Sequence, residues 1–325
     1  MKGSLLRAVV LRPVRWWLTL LRTESPRVGA CARAWRVALM LPPFGALYAL
    51  LRVRALAVEP LEVPTTTRLG LTFTSRLPDL IQMYLHLFGV WEPDLLTFVR
   101  RRLAPGDTFI DIGANVGAFT LPAAARVGER GRVIAIDASP AMIDDLRANL
   151  ERNNLAPRVR VVHAAVSDHP GMLDLYAGPS HNVGLTSTEP HRGMRRVGGV
   201  RAAPPGDLLS DAELSAARLI KIDVEGGENR VLAGFAQLLD RLSPEVEIVV
   251  ELSPHWWRES GVTSADVLRP FLAAGFHVYA VPNNYWPWRL LWSEDVSPPR
   301  RLRADLSHLT ARVDVVLSRV DAETL

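Results

Sequence analysis

From residue 104 onward, short apolar runs alternate with amphipathic stretches of helical period. The pattern predicts strands at 108–112 (TFIDI), 132–136 (RVIAI), 159–163 (VRVVH), 218–222 (RLIKI), 246–251, 276–281 and 312–318. Helices are predicted at 117–127, 140–152, 227–241 and 264–274. Such alternation gives an α/β domain: a mostly parallel seven-stranded sheet with helices on both faces and right-handed crossovers. Upstream, residues 61–76 are Thr-rich and strand-like, and 79–103 read as helix broken at Gly89 and Pro93. The chain therefore divides into an N-terminal extension (1–60), a lead-in segment or cap (61–103), and a main body (104–320).

The extension has a different pattern. Residues 1–22 mix Leu, Val and Trp with Arg and Lys and contain no acid. The run at 37–51 (VALMLPPFGALYALL) is apolar but spans about 15 residues, against the roughly 20 that a spanning helix needs. Pro42-Pro43 is expected to interrupt it. A helical extension packed on the body or on a second copy in a homodimer is expected, with peripheral membrane contact through residues 1–58 as the alternative.

Charge sharpens this division. Residues 1–58 carry ten basic groups and one acid, Glu24, for +9, which leaves −5 for the rest of a +4 chain. That distribution argues against nucleic acid as a partner of the main body. The single cysteine, Cys31, cannot form an internal disulfide, so a cytoplasmic location, or one peripheral to a membrane, is the expectation. Of 38 basic residues 36 are Arg; the two lysines are Lys2 and Lys221.

In a parallel sheet of this kind ligands sit beyond the carboxyl ends of the strands. Directly after the 108–112 strand comes the turn DIGANVGAFT (111–120). Gly113 and Gly117 let the backbone turn tightly beside a ligand, and Asn115 tolerates a left-handed conformation. Asp137 ends the next strand, 20 residues after Gly117, where a carboxylate would hold ribose hydroxyls. The spacing G-A-N-V-G lacks the third glycine of a dinucleotide fingerprint, and Asp111 would repel a pyrophosphate but attract an ammonium or sulfonium. S-adenosylmethionine, with two cationic groups, a carboxylate and a ribose, fits these features better than a nicotinamide dinucleotide.

The segment LIKIDVEGGENRVLAGF (219–235), with FGVWEPD (88–94), APGDTFIDIGANVGAFT (104–120), VIAIDASP (133–140), HAAVSD (163–168) and VVELSP (249–254), resembles the FkbM-type S-adenosylmethionine-dependent methyltransferases. The matching pieces run in the family's order over roughly 85–320, and the KIDVEG-x-E element is the specific one. Asp137-Ala138 stands where the family commonly shows Glu-Pro, so the acid is kept one methylene shorter. The resemblance implies a Rossmann-like class I methyltransferase fold, S-adenosylmethionine as cofactor, and methyl transfer to a hydroxyl on a sugar, polyketide or related natural product. The acceptor is thus a small molecule or glycan. A donor-fold protein without catalysis, acting as a scaffold, is the alternative from another class; a nicotinamide oxidoreductase is a third.

Under this reading Asp111, Gly113, Asn115 and Gly117 surround the donor's methionine part, Asp137 takes the ribose, Ser167 and Asp168 meet the adenine edge, and Glu92 reaches the donor's amino group or shapes the acceptor side. Candidate catalytic groups are Asp223, Glu225 and His255. Asp223, Glu225, Glu228 and Glu251 are carboxylates that a hard cation would favour, but nothing in their spacing fixes a ligand count and no metal is assigned. For Glu228 the alternative is helix capping. The aromatic stretch NNYWPWRLLW (283–292) and the loop at His181–Gly184 are candidate acceptor-side elements.

Overall fold

A computed structural model describes residues 6–57, 60–178, 186–190, 193–257, 261–303, 306 and 309–325. The loop at His181–Gly184 lies outside the described residues. The chain forms two compact units, one made of 1–97, 178–184 and 283–297, the other of 98–177, 185–282 and 298–325.

In the first unit a helix at Arg12–Leu21 precedes a long helix at Ala30–Ala57. Strands β1 (Leu61–Thr66) and β2 (Thr72–Leu77) form an antiparallel hairpin whose alternate residues Leu61, Val63, Phe73 and Leu77 are buried. A helix at Leu80–Phe88 follows, capped by the Asp79 carboxylate and ended by Gly89 in the left-handed conformation. The expected break at Gly89 is therefore present, and the next helix starts at Pro93. Arg289 reaches Asp94 with two bonds of 3.0 and 2.7 Å, a buried fork-to-carboxylate pair that ties the 283–297 segment to the rest of the unit.

One expectation for this unit fails. Pro42 and Pro43 do not interrupt the apolar run; helix continues through them for 28 residues. Pro43 offers no N–H to the Leu39 carbonyl four residues back, and the Trp17 indole N–H donates to that oxygen instead at 3.1 Å. The stretch Ala30–Ala55, whose most apolar 18-residue window has a mean hydropathy of 1.4, is long and apolar enough to cross a membrane by length and composition, so the 15-residue count understated it.

The second unit is the α/β body. Its strands in chain order are β3 (Thr108–Ile112), β4 (Arg132–Asp137), β5 (Val159–His163), β6 (Ala165–Val166), β7 (Gly171–Ala177), β8 (Thr186–Ser187), β9 (Arg195–Ala203), β10 (Ala217–Ile222), β11 (Glu247–Leu252), β12 (His277–Ala280), β13 (Arg300–Arg301) and β14 (Val313–Ser318). The main sheet has the order β13-β12-β14-β11-β10-β3-β4-β5. All seven predicted strands are in it. It has eight strands rather than seven because the two-residue β13 pairs onto the β12 edge. β5, β4, β3, β10 and β11 are parallel, while β14 runs antiparallel between β11 and β12. Numbered by chain position, the seven long strands read 3-2-1-4-5-7-6, the Rossmann-like arrangement, with the switch point between β3 and β10.

The pleat sorts side chains to two faces. Ile110, Ile112, Ile220 and Ile222 join a core with Val231, Phe235, Leu268 and Phe271 of the helices Glu228–Ala236 and Ser264–Ala273. Asp111 and Lys221, each one residue off that set and paired in register, point to the opposite face. A second, four-stranded sheet, β6-β9-β7-β8, fills the stretch between β5 and β10, where no strand was expected. Its apolar core among the described residues is small, built on Ala165, Leu175, Val200 and Ala202.

Candidate active site

The site grows from the switch point. β10 hands its chain to Asp223, whose N–H donates to the Ile112 carbonyl at 2.9 Å, so the loops after β3 and β10 lie against each other. Gly113, at φ +81°, makes that approach: a Cβ there would stand 1.7 Å from the Asp223 carbonyl oxygen. A Cβ on Gly117 (φ +94°) would stand 2.4 Å from the Leu121 side chain and 2.7 Å from that of Leu146, and Asn115 sits at φ 51°.

Asp137 closes the turn from β4. One of its oxygens accepts the Asn115 N–H and the other the Ser139 N–H, each at 2.8 Å. A carboxylate has about four lone-pair positions, so two remain for an incoming hydroxyl pair. Burial pushes Asp137 up to about 6, opposed by those two N–H groups. His163, paired in register with Asp137, adds a favourable charge when protonated and was not singled out from sequence.

Asp111 is wholly buried. Its Oδ2 accepts the Thr120 hydroxyl at 2.5 Å, and its Oδ1 has no hydrogen-bond partner among the described residues. Burial pushes its carboxyl up, opposed first by the attraction of Lys221. Lys221 is the residue that sequence reasoning missed. Its buried ammonium contacts Asp223 at 2.8 Å and lies 4.7 Å from the centre of the Phe119 ring. The available signal was its rarity: a compact ammonium in a chain that otherwise uses arginine throughout its body.

Beyond β10, the carboxylates of Asp223, Glu225 and Glu251 have oxygens within 4.8 Å of one another. Two cations face them, Lys221 and Arg312, the latter 3.6 Å from Glu251. Glu225 is half-buried, and at φ 33° its backbone is strained. Burial, then the repulsion of Asp223, push its carboxyl up to about 7 against the attraction of Arg312 and Lys221. These three carboxylates have the chemistry to hold a hard cation; equally, the two basic side chains already offset part of their charge.

Glu228 stands apart from that group. It is fully buried, accepting the Gly226 N–H at 2.9 Å and the Trp257 indole N–H at 3.1 Å. It braces the Asp223–Gly227 loop, which extends the capping reading. His255 is exposed on a short turn at Pro254–Trp256, its ring 5.9 Å from that of Trp256, and is not part of the carboxylate cluster. Ser167 is buried with its hydroxyl donating to Asp168 at 3.1 Å, and Asp168 also pairs with His169 at 2.7 Å. Glu92, buried and at φ 41°, belongs to the first unit, as does the aromatic segment, where Trp286 and Trp288 stack at 4.7 Å.

The sequence profile of the Methyltransferase FkbM domain matches residues 111–278, which spans the turn, Asp137 and the whole carboxylate loop. The chain belongs to the FkbM methyltransferase family. S-adenosylmethionine is the cofactor of this family, and the FkbM-type turn suits it: the orphaned Asp111 oxygen, the Cβ-free approach at Gly113 and the spare lone pairs of Asp137 match cationic and hydroxyl groups. Among relatives, 31-O-demethyl-FK506 methyltransferase FkbM of Streptomyces tacrolimicus is 30% identical over 162 residues, 41% of this chain and 60% of that protein. Hexuronic acid methyltransferase AglP of Haloferax volcanii is 23% identical over 55% of this chain and 66% of its own length. The aligned part thus spans about two thirds or less of each. A solved S-adenosylmethionine-dependent O-methyltransferase from Thermotoga maritima superposes with a TM-score of 0.39 at 14% identity, covering 81% of this chain and 79% of its own.

Proposed function

We propose that the protein transfers the methyl group of S-adenosylmethionine to a hydroxyl of a small molecule or glycan, a sugar, polyketide or related natural product. The observation that carries this reading is the contact of Gly113 with the Asp223 backbone, which sets a carboxylate cluster beside the donor's turn. Two relatives support the acceptor class by name: one is a 31-O-demethyl-FK506 methyltransferase, the other a hexuronic acid methyltransferase.

When bound, the donor would supply a methyl activated on sulfur for displacement by the acceptor oxygen, with S-adenosylhomocysteine as the leaving group. Asp111 would hold the donor's cationic end, the turn at Gly113–Gly117 its backbone-facing side, and Asp137 its ribose. Glu225, ionising near 7 with no hydrogen bond to its carboxylate among the described residues, takes the acceptor's proton. Asp223, held by Lys221, positions the acceptor hydroxyl and keeps negative charge beside the sulfonium.

The test is methyl transfer from labelled S-adenosylmethionine to a panel of sugar and polyketide alcohols. Methyl ether and S-adenosylhomocysteine should form together. Binding of S-adenosylhomocysteine without turnover on any acceptor would favour the scaffold reading, and no binding of it would remove both.

A further inference from the structure

We propose that the helix Ala30–Ala57 docks the protein flat onto an anionic phospholipid surface. The helix has two apolar faces. Met40, Phe44, Leu47 and Leu51 recur at helical spacing and are buried. Phe44 packs on Tyr84 and Phe88, with ring centres 6.3 and 6.0 Å away. On the opposite side Trp35, Leu39, Leu50 and Val53 recur at the same spacing, are 41–67% exposed, and are joined along that face by Pro42 and Ala46. A side of a helix that is apolar and open to water marks an interaction surface. The preceding helix adds exposed Trp16 and Leu20, 63% and 55% accessible.

Charge selects the partner. Arg33 and Arg36 stand near the start of the helix, held by Asp295 and the Leu21 carbonyl, and Arg52 and Arg54 near its end, and the sequence has no acid between Ser25 and Val58. An exposed apolar stripe with tryptophan, carried on a segment of charge +9, complements a lipid surface with anionic headgroups.

Three fixed points hold the helix along its unit rather than across a bilayer. Arg33 bonds Asp295 at 2.6 Å, the Leu39 carbonyl is taken by Trp17, and Phe44 sits among Tyr84 and Phe88. A spanning orientation would carry the Arg33–Asp295 pair and the polar loop around it toward hydrocarbon. The in-plane orientation immerses only the outer stripe.

The test is co-sedimentation of the full chain with phosphatidylcholine vesicles, with and without about 30% phosphatidylglycerol. Binding is expected only to the anionic vesicles, with severalfold loss in high salt and release by alkaline carbonate. The double variant Leu39→Glu/Leu50→Glu should lower binding about tenfold or more while leaving the circular dichroism melt unchanged, because both side chains point outward. A second variant, Trp16→Ser, should give a smaller loss of the same sign. The proposal is overturned if the anionic vesicles bring down no protein, if the double variant binds as well as the native chain, or if carbonate fails to release it, which would mean a spanning helix. It is equally overturned if the double variant dissociates a solution dimer that never bound vesicles, since a second copy would then cover the face.

Discussion

The loops after β3 and β10 touch each other yet are wired in opposite ways. In the first, each carboxylate is fixed by donors yet keeps acceptor capacity: Asp137 is held by two backbone N–H groups, and Asp111 by Thr120 through one oxygen while its other oxygen has no partner among the described residues. In the second, carboxylates outnumber their cations: Asp223, Glu225 and Glu251 share Lys221 and Arg312. Carboxylates held in place with lone pairs left over suit binding. A loop with surplus negative charge holds one member near neutral pH poised between its two forms, which suits proton transfer. The difference teaches where binding ends and reaction begins on one sheet edge.

The comparison breaks most completely at the point of contact. Gly113→Ala introduces a Cβ against the Asp223 carbonyl at a left-handed backbone position. Stability should fall by about 3 kcal/mol or more, with loss of S-adenosylhomocysteine binding, read by thermal melting and calorimetry. Next in size is Glu225→Gln, which should lower turnover roughly 10²-fold or more at pH 8 and leave donor affinity within about threefold. Asp137→Ala should do the reverse. It orphans the Asn115 and Ser139 N–H groups, at about 1–3 kcal/mol each, and should weaken donor binding tenfold or more, by calorimetry. The smallest change is expected for His255→Ala, within about threefold in turnover, since the imidazole is exposed and outside the cluster.

The two loops should also separate on a pH axis. Both carboxyls are raised, so each is neutral below its folded value and charged above it. Asp137, near 6, must be charged to accept hydroxyls, so donor affinity should fall as pH drops through about 6. Glu225, near 7, must be charged to accept a proton, so turnover at saturating donor should rise as pH climbs through about 7, and this rise should vanish in Glu225→Gln. A single shared profile for binding and turnover would contradict the division.

How much of this was legible in the sequence follows from range. The seven long strands, the turn after β3 and the carboxylate ending β4 are local patterns of apolar runs, glycines and acids, and they were read in place. The four-stranded sheet was not, because β9 (RRVGGVRAA) shows no apolar alternation and exists through pairing with β7, whose partner residues lie 18 to 31 positions upstream. Lys221 was invisible as a site residue because its meaning lies in Asp111, Phe119 and Asp223, brought around it by three different elements. The helix through Pro42-Pro43 was misread for the same reason: the Leu39 carbonyl that loses its helical donor is satisfied by an indole 22 residues earlier in the chain. Glu228 had the right local signal for a cap, but the second half of its role, holding Trp257, depends on the strand that follows.

The most direct test of the central claim is calorimetric titration of S-adenosylhomocysteine into the intact chain, repeated with NADH. One site per chain with micromolar affinity for S-adenosylhomocysteine, and no heat from NADH, is the result this account predicts. No binding of the nucleoside at millimolar concentration, or competition between the two ligands for one site, would contradict it.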